Sequence, residues 1–220
     1  MNHLAEIIIV DDHVMFREGL KLLIETEGMG KVIAEADNGM MFLNLLEKHH
    51  PNLVLMDIEM PVMGGLEAIV KSLLIRPDLK ILVLSMLCVN KNYIDIINAG
   101  AMGFILKSSG KHELKKAIKT LIDGESYFSN ELLRKIIHNI RKQPLIPEFS
   151  GINGINITDR ELEVLQYLSK GLSANEIAVK LFRSVKTIET HRSKLLEKTN
   201  SKNTINLVLY ALKNKLIAIS

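Results

Sequence analysis

The 220-residue sequence contains no tryptophan and only one cysteine, Cys88. A single cysteine excludes an internal disulfide, and it is typical of proteins in a reducing compartment. Its apolar runs, such as residues 7–10, are far shorter than the ~20 residues that a membrane-spanning helix requires. The N-terminus also lacks the basic and then apolar pattern of a signal peptide. We therefore expect a cytoplasmic protein without a membrane partner.

The composition excludes a mainly disordered chain, because 47% of the residues are hydrophobic and 24% are charged. The charge is distributed unevenly along the sequence. Residues 158–220 contain 11 Lys and Arg against 6 Asp and Glu, whereas residues 1–123 contain 13 against 16. The basic C-terminal part favours a polyanionic partner.

Short apolar runs alternate with segments of helical periodicity over the first 123 residues. The runs lie at residues 7–10, 32–36, 53–56, 81–84 and 104–106. This alternation is typical of a parallel sheet that is covered by helices on both faces. We therefore predict an α/β fold for residues 1–123, with a doubly wound five-stranded parallel sheet and five helices.

The remaining sequence predicts a linker and a second domain. Residues 125–142 have helical periodicity, and the following segment is rich in proline and glycine, so residues 124–157 are expected to form a linker helix and a flexible linker. Capping residues at Thr158, Ser173 and Ser184 open three further helices, and residues 204–215 form a fourth. We predict an all-α four-helix domain over residues 158–220.

Polar side chains follow four of the predicted strands. Asp11 and Asp12 follow the first strand, Asp57 the third, Ser85 the fourth and Lys107 the fifth. The carboxyl ends of the strands in a doubly wound sheet meet at one edge. Three carboxylates suit Mg²⁺, and a hydroxyl and an ammonium group beside them suit a second anion. The predicted chemistry is transfer of a phosphoryl group to an oxygen of Asp57.

These residues belong to longer motifs, which occur in the order Ile-Val-Asp11-Asp12-His13, Leu-Met-Asp57-Ile-Glu-Met-Pro61-Val-Met-Gly64-Gly65, Ser85 and Gly103-Phe104-Ile-Leu-Lys107. The motifs resemble those of a response-regulator receiver domain in order and spacing. The resemblance implies that a histidine kinase phosphorylates Asp57, and that Mg²⁺ binds Asp12, Asp57 and the backbone carbonyl of Glu59 directly and Asp11 through water. It also implies that Ser85 and Phe104 are the switch hydroxyl and the switch aromatic residue.

The predicted third helix of the second domain follows a tight turn and has an apolar face (Val185, Ile188, Leu195, Leu196) and a polar face, as expected for a helix-turn-helix. The surrounding motifs are Ile157-Thr-Asp-Arg160-Glu161-Leu-Glu163-Val-Leu, Gly171-Leu-Ser173-Ala-Asn175-Glu176-Ile-Ala178 and Lys186-Thr187-Ile188-Glu189-Thr-His191. They resemble a LuxR-type helix-turn-helix. The whole chain resembles the NarL/FixJ family of response regulators.

This second resemblance implies binding to double-stranded DNA. The residues expected to face base edges are Lys186, Glu189, Thr190 and Ser193, and those expected nearer the phosphates are Thr187, His191, Arg192 and Lys194. A glutamate at position 189 departs from the basic residue that is frequent there, and we expect it to alter sequence preference. The family pairs through the last helix, which predicts a homodimer on phosphorylation that reads an inverted repeat. The residues expected either to form this contact or to pack within their own domain are Leu207, Val208, Ala211 and Leu212.

The residues leave three other classes to compare. A phosphatase-like enzyme would carry its nucleophile on the first strand, whereas Asp57 follows the third. A flavin-binding module would need a phosphate-binding loop after the first strand. Asp11 and Asp12 occupy that position, and their negative charges would repel a phosphate. The nearest rival is a regulator of this fold that works without phosphorylation. We predict a protein that accepts a phosphoryl group on its own aspartate and turns over no substrate.

Overall fold

The computed structural model describes residues 4–86, 93–129, 156–201, 203–214 and 216–217. The chain divides into two compact units, Met1–Phe128 and Ser129–Ser220. Each unit folds around its own hydrophobic core. None of the helices among these described residues is long and apolar enough to cross a membrane.

The first unit is an α/β fold, as predicted. Its elements are β1 (Glu6–Val10), α1 (Val14–Thr26), β2 (Lys31–Ala36), α2 (Gly39–Leu46), β3 (Leu53–Asp57), α3 (Gly65–Ile75), β4 (Ile81–Ser85), α4 (Tyr93–Ala99), β5 (Gly103–Leu106), α5 (Lys111–Ile122) and β6 (Tyr127–Phe128). All strands are parallel, in the order β2-β1-β3-β4-β5-β6. The five residues of β3 are all buried, which explains why this strand reads as a continuous apolar run ending in an aspartate.

The predicted number of strands was wrong by one, because β6 adds a sixth. Residues 125–128 were expected to begin the linker helix, but Tyr127 and Phe128 pair with Gly103 and Phe104 of β5. The Tyr127 ring packs against the core of the first unit, and its backbone N–H donates to Met102 O at 3.0 Å. Sheet pairing and burial thus override the local helical pattern. Residues 130–155, the rest of the predicted linker, lie outside the described residues, and the predicted boundaries after residues 123 and 157 stay predictions.

Gly65 fixes the loop that follows β3. It is the first residue of α3, and its N–H donates to Ile58 O at 2.9 Å. A β-carbon at this position would overlap the carbonyl oxygen of Asp57. Only glycine therefore lets α3 begin this close to the end of β3, and this approach sets the position of the Asp57 backbone.

Replacing Gly65 with alanine is expected to destabilise the first unit by about 3 kcal/mol, because the backbone of Asp57 must move to admit the methyl group. Gly19 in α1 is the matched control, since a β-carbon there meets nothing within 4 Å. Gly19→Ala is expected to stabilise the protein by about 0.5–1 kcal/mol, as alanine does in a helix interior. Hydrogen exchange of peptides from the first unit measures both effects. Equal stability of the two variants would contradict this account of Gly65.

The second unit contains, in its described part, the four helices α6 (Asp159–Leu168), α7 (Ala174–Leu181), α8 (Val185–Lys198) and α9 (Thr204–Lys213). The predicted helix starts are confirmed. Thr158 and Ser173 each form a complete capping box with the glutamate three residues later, and Ser184 accepts from the N–H of Thr187. The core consists of apolar side chains from all four helices, among them Val164, Leu165, Ile177, Ile188, Leu195, Leu207 and Val208.

Candidate functional site

The sheet brings the predicted strand-end residues of the first unit to one edge. β1 and β3 are neighbours in register, with Val10 opposite Met56, so Asp11 and Asp57 follow side by side. The N–H of Lys107, directly after β5, donates to the carbonyl of Ser85 at 2.8 Å. Four separate segments of the chain therefore meet at the carboxyl end of the sheet.

Lys107 lies at the centre of this edge. Its Nζ is 2.7 Å from Asp11 Oδ2 and 2.6 Å from Asp57 Oδ2, and the three side chains are only 3%, 1% and 5% exposed. The same Nζ lies 4.8 Å from the centre of the Phe16 ring, which covers it from one side. Asp57 Oδ1 accepts from the N–H of Ile58 at 2.7 Å. The single buried ammonium group of Lys107 thus forms ion pairs with two buried carboxylates.

This sharing affects the protonation of the cluster. Burial raises the pKa of the Asp57 carboxyl above its ordinary 3.8, and Asp11 raises it further, whereas Lys107 and the Ile58 N–H act in the opposite direction. Burial alone would lower the pKa of Lys107, but its bonds to Asp11 and Asp57 raise it above 10.5. Lys107 therefore stays charged at neutral pH. Because it is divided between two anions, it compensates the Asp57 charge incompletely.

Asp12 and His13 widen the cluster towards solvent. His13 Nδ1 is 2.8 Å from Asp12 Oδ1 and 3.3 Å from Asp11 Oδ1. Together with Asp57, these residues offer ligand atoms that all lie within 4.8 Å of one another. The donors are mostly carboxylate oxygens, which fit a hard divalent cation. His13 was not among the residues predicted to form the site, although its position directly after two strand-end aspartates was a signal for it.

The other predicted site residues of the first unit lie around this edge. Ser85 is the half-buried last residue of β4, with Leu106 of β5 opposite it. Phe104 is buried on β5, between β4 and β6. Glu59 is exposed, two residues after Asp57. The roles predicted for Ser85, for Phe104 and for the carbonyl of Glu59 stay predictions.

The polar face predicted for α8 lies on the surface of the second unit. Ile188 and Leu195 point into the core and Leu196 is half-buried, but Val185, which was also expected on the apolar face, is exposed. Of the predicted DNA-facing residues, the exposed ones are Lys186, Thr190, Ser193 and Lys194, and the half-buried ones are Thr187, Glu189, His191 and Arg192.

Three of the half-buried residues, Thr187, Glu189 and Arg192, contact side chains on the helix or at its N-cap. Glu189 Oε2 lies 2.6 Å from an Arg192 Nη atom, so the acidic charge that departs from the family pattern is locally neutralised. Thr187 shares a hydroxyl–hydroxyl hydrogen bond of 2.8 Å with Ser184 at the start of α8. Thr190 donates its hydroxyl to the Lys186 carbonyl at 2.9 Å. Arg192 is thus paired with Glu189, whereas Lys186 and Lys194 form no ion pair with the acidic residues that the structure describes.

Glu161 has a structural role at the start of α6. It is 2% exposed, closes the capping box with Thr158, and lies 2.7 Å from the Nζ of Lys198. Burial acts to raise the pKa of Glu161, but the bonds to Lys198 and Thr158 outweigh it and lower the pKa below 4.5. The pairing with Lys198, which also donates to Asn156 O at 2.9 Å, had no signal in the local sequence.

The residues expected to form the dimer contact on α9 are mostly unavailable for it. Leu207, Val208 and Ala211 are buried in the core of their own unit, and Leu212 is half-buried. Apolar residues of an amphipathic helix first satisfy packing within their own domain. These four side chains therefore do not supply an exposed apolar patch.

Family comparisons agree with this geometry. The family described as response regulator receiver domain matches residues 7–119, and the family of bacterial regulatory proteins of the luxR type matches residues 156–211. The oxygen regulatory protein NreC of Staphylococcus epidermidis is 34% identical over 215 residues, which cover 96% of this chain and 99% of the relative. The transcriptional regulatory protein DegU of Brevibacillus brevis is 32% identical over 222 residues, covering 95% and 93%.

Solved structures of similar proteins include the response regulator RcsB of Salmonella typhimurium, with a TM-score of 0.58 and 26% identity over 96% of this chain and 99% of that chain. A structure of two RcsB dimers bound to two parallel DNAs gives a TM-score of 0.57 and 25% identity over 96% and 99%. The matches extend over both units of the chain. The protein therefore belongs to the NarL/FixJ-type two-component response regulators, which combine a receiver domain with a LuxR-type DNA-binding domain.

Proposed function

We propose that a histidine kinase transfers a phosphoryl group to Asp57, and that the phosphorylated protein binds DNA in the cytoplasm as a homodimer. The observation that carries this proposal is the buried ion pair of Lys107 with both Asp57 and Asp11 at the carboxyl edge of the sheet. A carboxylate that a cation compensates only in part remains a nucleophile, and the same cation can bind the incoming anionic group.

In the proposed transfer, an Asp57 oxygen forms a bond to phosphorus while the bond from phosphorus to the kinase imidazole nitrogen breaks. The electron pair of that bond stays on the imidazole. Lys107 keeps its contact with Asp11 and donates to the phosphoryl oxygens, so the added negative charge meets an ammonium group that is already in place. The hydroxyl of Ser85 donates to another phosphoryl oxygen.

Mg²⁺ would be held by Asp11, Asp12, Asp57 and the Glu59 carbonyl, where it would neutralise charge on the transferring group. The clustered oxygen donors fit this ion. Three neighbouring carboxylates and one lysine leave a local excess of negative charge, which gives a divalent cation a reason to bind. Asp12, the most exposed of the three aspartates, is the ligand that a cation entering from solvent meets first.

The proposed response to phosphorylation passes through β4 and β5. Movement of Ser85 towards the phosphoryl group would leave space beside Phe104, whose neighbour in the sheet is Val83. Since Phe104 is already buried, its change is a repacking within the core and does not transfer an exposed ring to the interior. The surface over β4 and β5 would alter as a result.

The proposed output is sequence-specific binding by α8. Lys186, Thr190 and Ser193 share one exposed face at helical spacing and would meet base edges, and Lys194 would meet phosphate. A two-fold homodimer would read an inverted repeat with half-sites about one helical turn apart. Because the apolar side chains of α9 are buried in the core of their own domain, the partly exposed residues of this helix would provide the contact between subunits.

Phosphoryl incorporation tests the input half of this proposal. Wild type incubated with Mg²⁺ and acetyl phosphate is expected to gain one phosphoryl group that peptide mass spectrometry maps to Asp57. Asp57→Asn is expected to gain none, and Asp12→Asn or a chelator is expected to reduce incorporation at least about tenfold, in line with the loss of a metal ligand. Lys71→Met, which removes an exposed lysine from α3, is the matched control and should incorporate like wild type. Incorporation on another residue, or equal incorporation by Asp57→Asn, contradicts the proposal.

A further inference from the structure

Phe182 has an unusual backbone conformation for its residue type. It ends α7 with φ 51° and ψ 49°, in the left-handed region. The N–H of Arg183 closes the helix end by donating to Ala178 O at 2.9 Å. Glycine or asparagine normally occupies such a helix end, because a bulky side chain is strained there. The described non-glycine residues with positive φ are Val62, Phe182 and Asn200. Of these three, only asparagine is a residue type that commonly adopts the left-handed conformation.

The strain at Phe182 is not offset by burial of its ring. Phe182 is 92% exposed, Val179 is 76% exposed and Val185 is 41% exposed. These three residues, here called the turn patch, lie within seven positions of the chain and flank the turn between α7 and α8. An exposed aromatic ring on a strained backbone has an unfavourable free energy in the isolated domain, and such a combination points to a function at that position.

The surroundings of the turn patch are cationic. Lys180, Arg183 and Lys186 are all exposed, and no acidic residue occurs between positions 177 and 188. Lys186 belongs to the first turn of α8, the helix proposed to enter the major groove. The patch therefore continues the proposed DNA-binding face, and its charge complements a polyanion. Among apolar groups on a duplex, the thymine C5-methyl is the one displayed in the major groove, where phenylalanine contacts it.

We propose that Phe182 contacts a thymine methyl group at the edge of the major groove, with Arg183 and Lys180 directed to the adjacent phosphates. This inference rests on the proposed DNA binding and deepens it, because it assigns base discrimination to a residue outside α8. Such a contact requires the ring to be exposed in the free protein, and burial of the ring then stabilises the complex with DNA. It also explains why an asparagine, which would relieve the backbone, is absent from this position.

The test compares wild type with Phe182→Asn and Phe182→Gly in the full-length protein after treatment with acetyl phosphate and Mg²⁺. The probe is a duplex enriched from a random-sequence library by wild type, and a second copy of it carries uracil at every thymine. Leu74→Ala removes another large exposed apolar side chain, 79% exposed and located in the receiver domain, and is the matched control. Fluorescence anisotropy gives the affinities, and thermal denaturation gives the stability of each variant.

Both Phe182 variants are expected to melt at or above the temperature of wild type, because either residue relieves the left-handed backbone. They are expected to bind the thymine duplex roughly tenfold more weakly than wild type and Leu74→Ala. Wild type should bind the uracil duplex more weakly than the thymine duplex, and the two Phe182 variants should show a smaller difference.

An unchanged affinity of both Phe182 variants overturns the inference, and so does an equal uracil penalty in wild type and variants. If a transcription reporter shows loss of control in variants that keep full DNA affinity, the inference is overturned and the turn patch is assigned to a protein partner. A drop in melting temperature for both variants overturns the strain argument. A Lys186→Ala variant tests the proposed DNA binding separately from the role of Phe182. If wild type binds no duplex, or if Lys186→Ala binds as tightly as wild type, the proposed DNA-binding face is itself contradicted.

Discussion

Replacing Lys107 with methionine is expected to destabilise the receiver domain by about 3 kcal/mol at neutral pH. The substitution removes the cation that Asp11 and Asp57 share and leaves two buried carboxylates without it. Methionine keeps an unbranched apolar side chain of similar length but lacks the ammonium group, which lies over the Phe16 ring. The lost stability is therefore expected to come mainly from the uncompensated charge of the carboxylates and less from a packing defect. Hydrogen exchange of peptides from β1 and β3 follows this domain separately from the second one.

A second substitution tests the cause of that loss. Asp57→Asn in the Lys107→Met background removes one of the two uncompensated charges and is expected to restore more than about half of the lost stability. Asp57→Asn alone is expected to be neutral or stabilising, because burial already disfavours the charged carboxyl and raises its pKa. The control is Lys71→Met, which breaks an exposed pair with Glu67 and should change stability by less than about 0.5 kcal/mol. A Lys107→Met protein as stable as wild type contradicts the role assigned to this cluster.

Replacing Glu161 with alanine is expected to destabilise the DNA-binding domain by about 3 kcal/mol, through loss of the capping box and of the partner of Lys198. Glu161→Gln keeps a hydrogen-bonding side chain and is expected to lose less. Glu163→Gln is the control, since Glu163 pairs with an exposed arginine, Arg160, on the surface of α6. Hydrogen exchange in α6 and α8 measures the three variants.

The same residue predicts a pH dependence. The pKa of Glu161 in the folded protein lies below its ordinary 4.5, so its contribution to stability is complete above that value. The contribution is lost as the pH falls below 4.5 and through the lower pKa of the folded state. Wild type should therefore lose stability in α6 over this range, and Glu161→Gln should lose less of it. Parallel pH profiles for the two proteins would contradict the assignment.

Much of the fold was predictable because local chemistry determined it. Strands that are buried on both faces appear as uninterrupted apolar runs, and capping residues such as Thr158 and Ser173 mark where helices begin. β6 was missed because two residues carry no periodicity of their own and Tyr127 is placed by its pairing with β5. Val185 was misplaced on the apolar face, because helical spacing does not tell how far a core extends along a helix.

The site was predictable at the level of which residues meet, since parallel strands end at a common edge. The sharing of Lys107 between Asp11 and Asp57 was not predictable, because it depends on the order β1-β3-β4-β5 across the sheet. The pairing of Lys198 with Glu161 likewise joins positions far apart in the sequence. Phe182 could not be predicted as a functional residue, because the residue type reveals neither its left-handed backbone conformation nor the exposure of its ring.

Phosphorylation of Asp57 is expected to control DNA binding, and the affinity of the protein for an enriched duplex measures this control. Wild type and Asp57→Asn are each titrated with the duplex, with and without acetyl phosphate and Mg²⁺. Wild type is expected to bind at least about tenfold more tightly after treatment, a typical allosteric coupling, while Asp57→Asn keeps one affinity throughout. An equal response of both proteins, or a wild type whose affinity does not change on stoichiometric phosphorylation, would contradict the account.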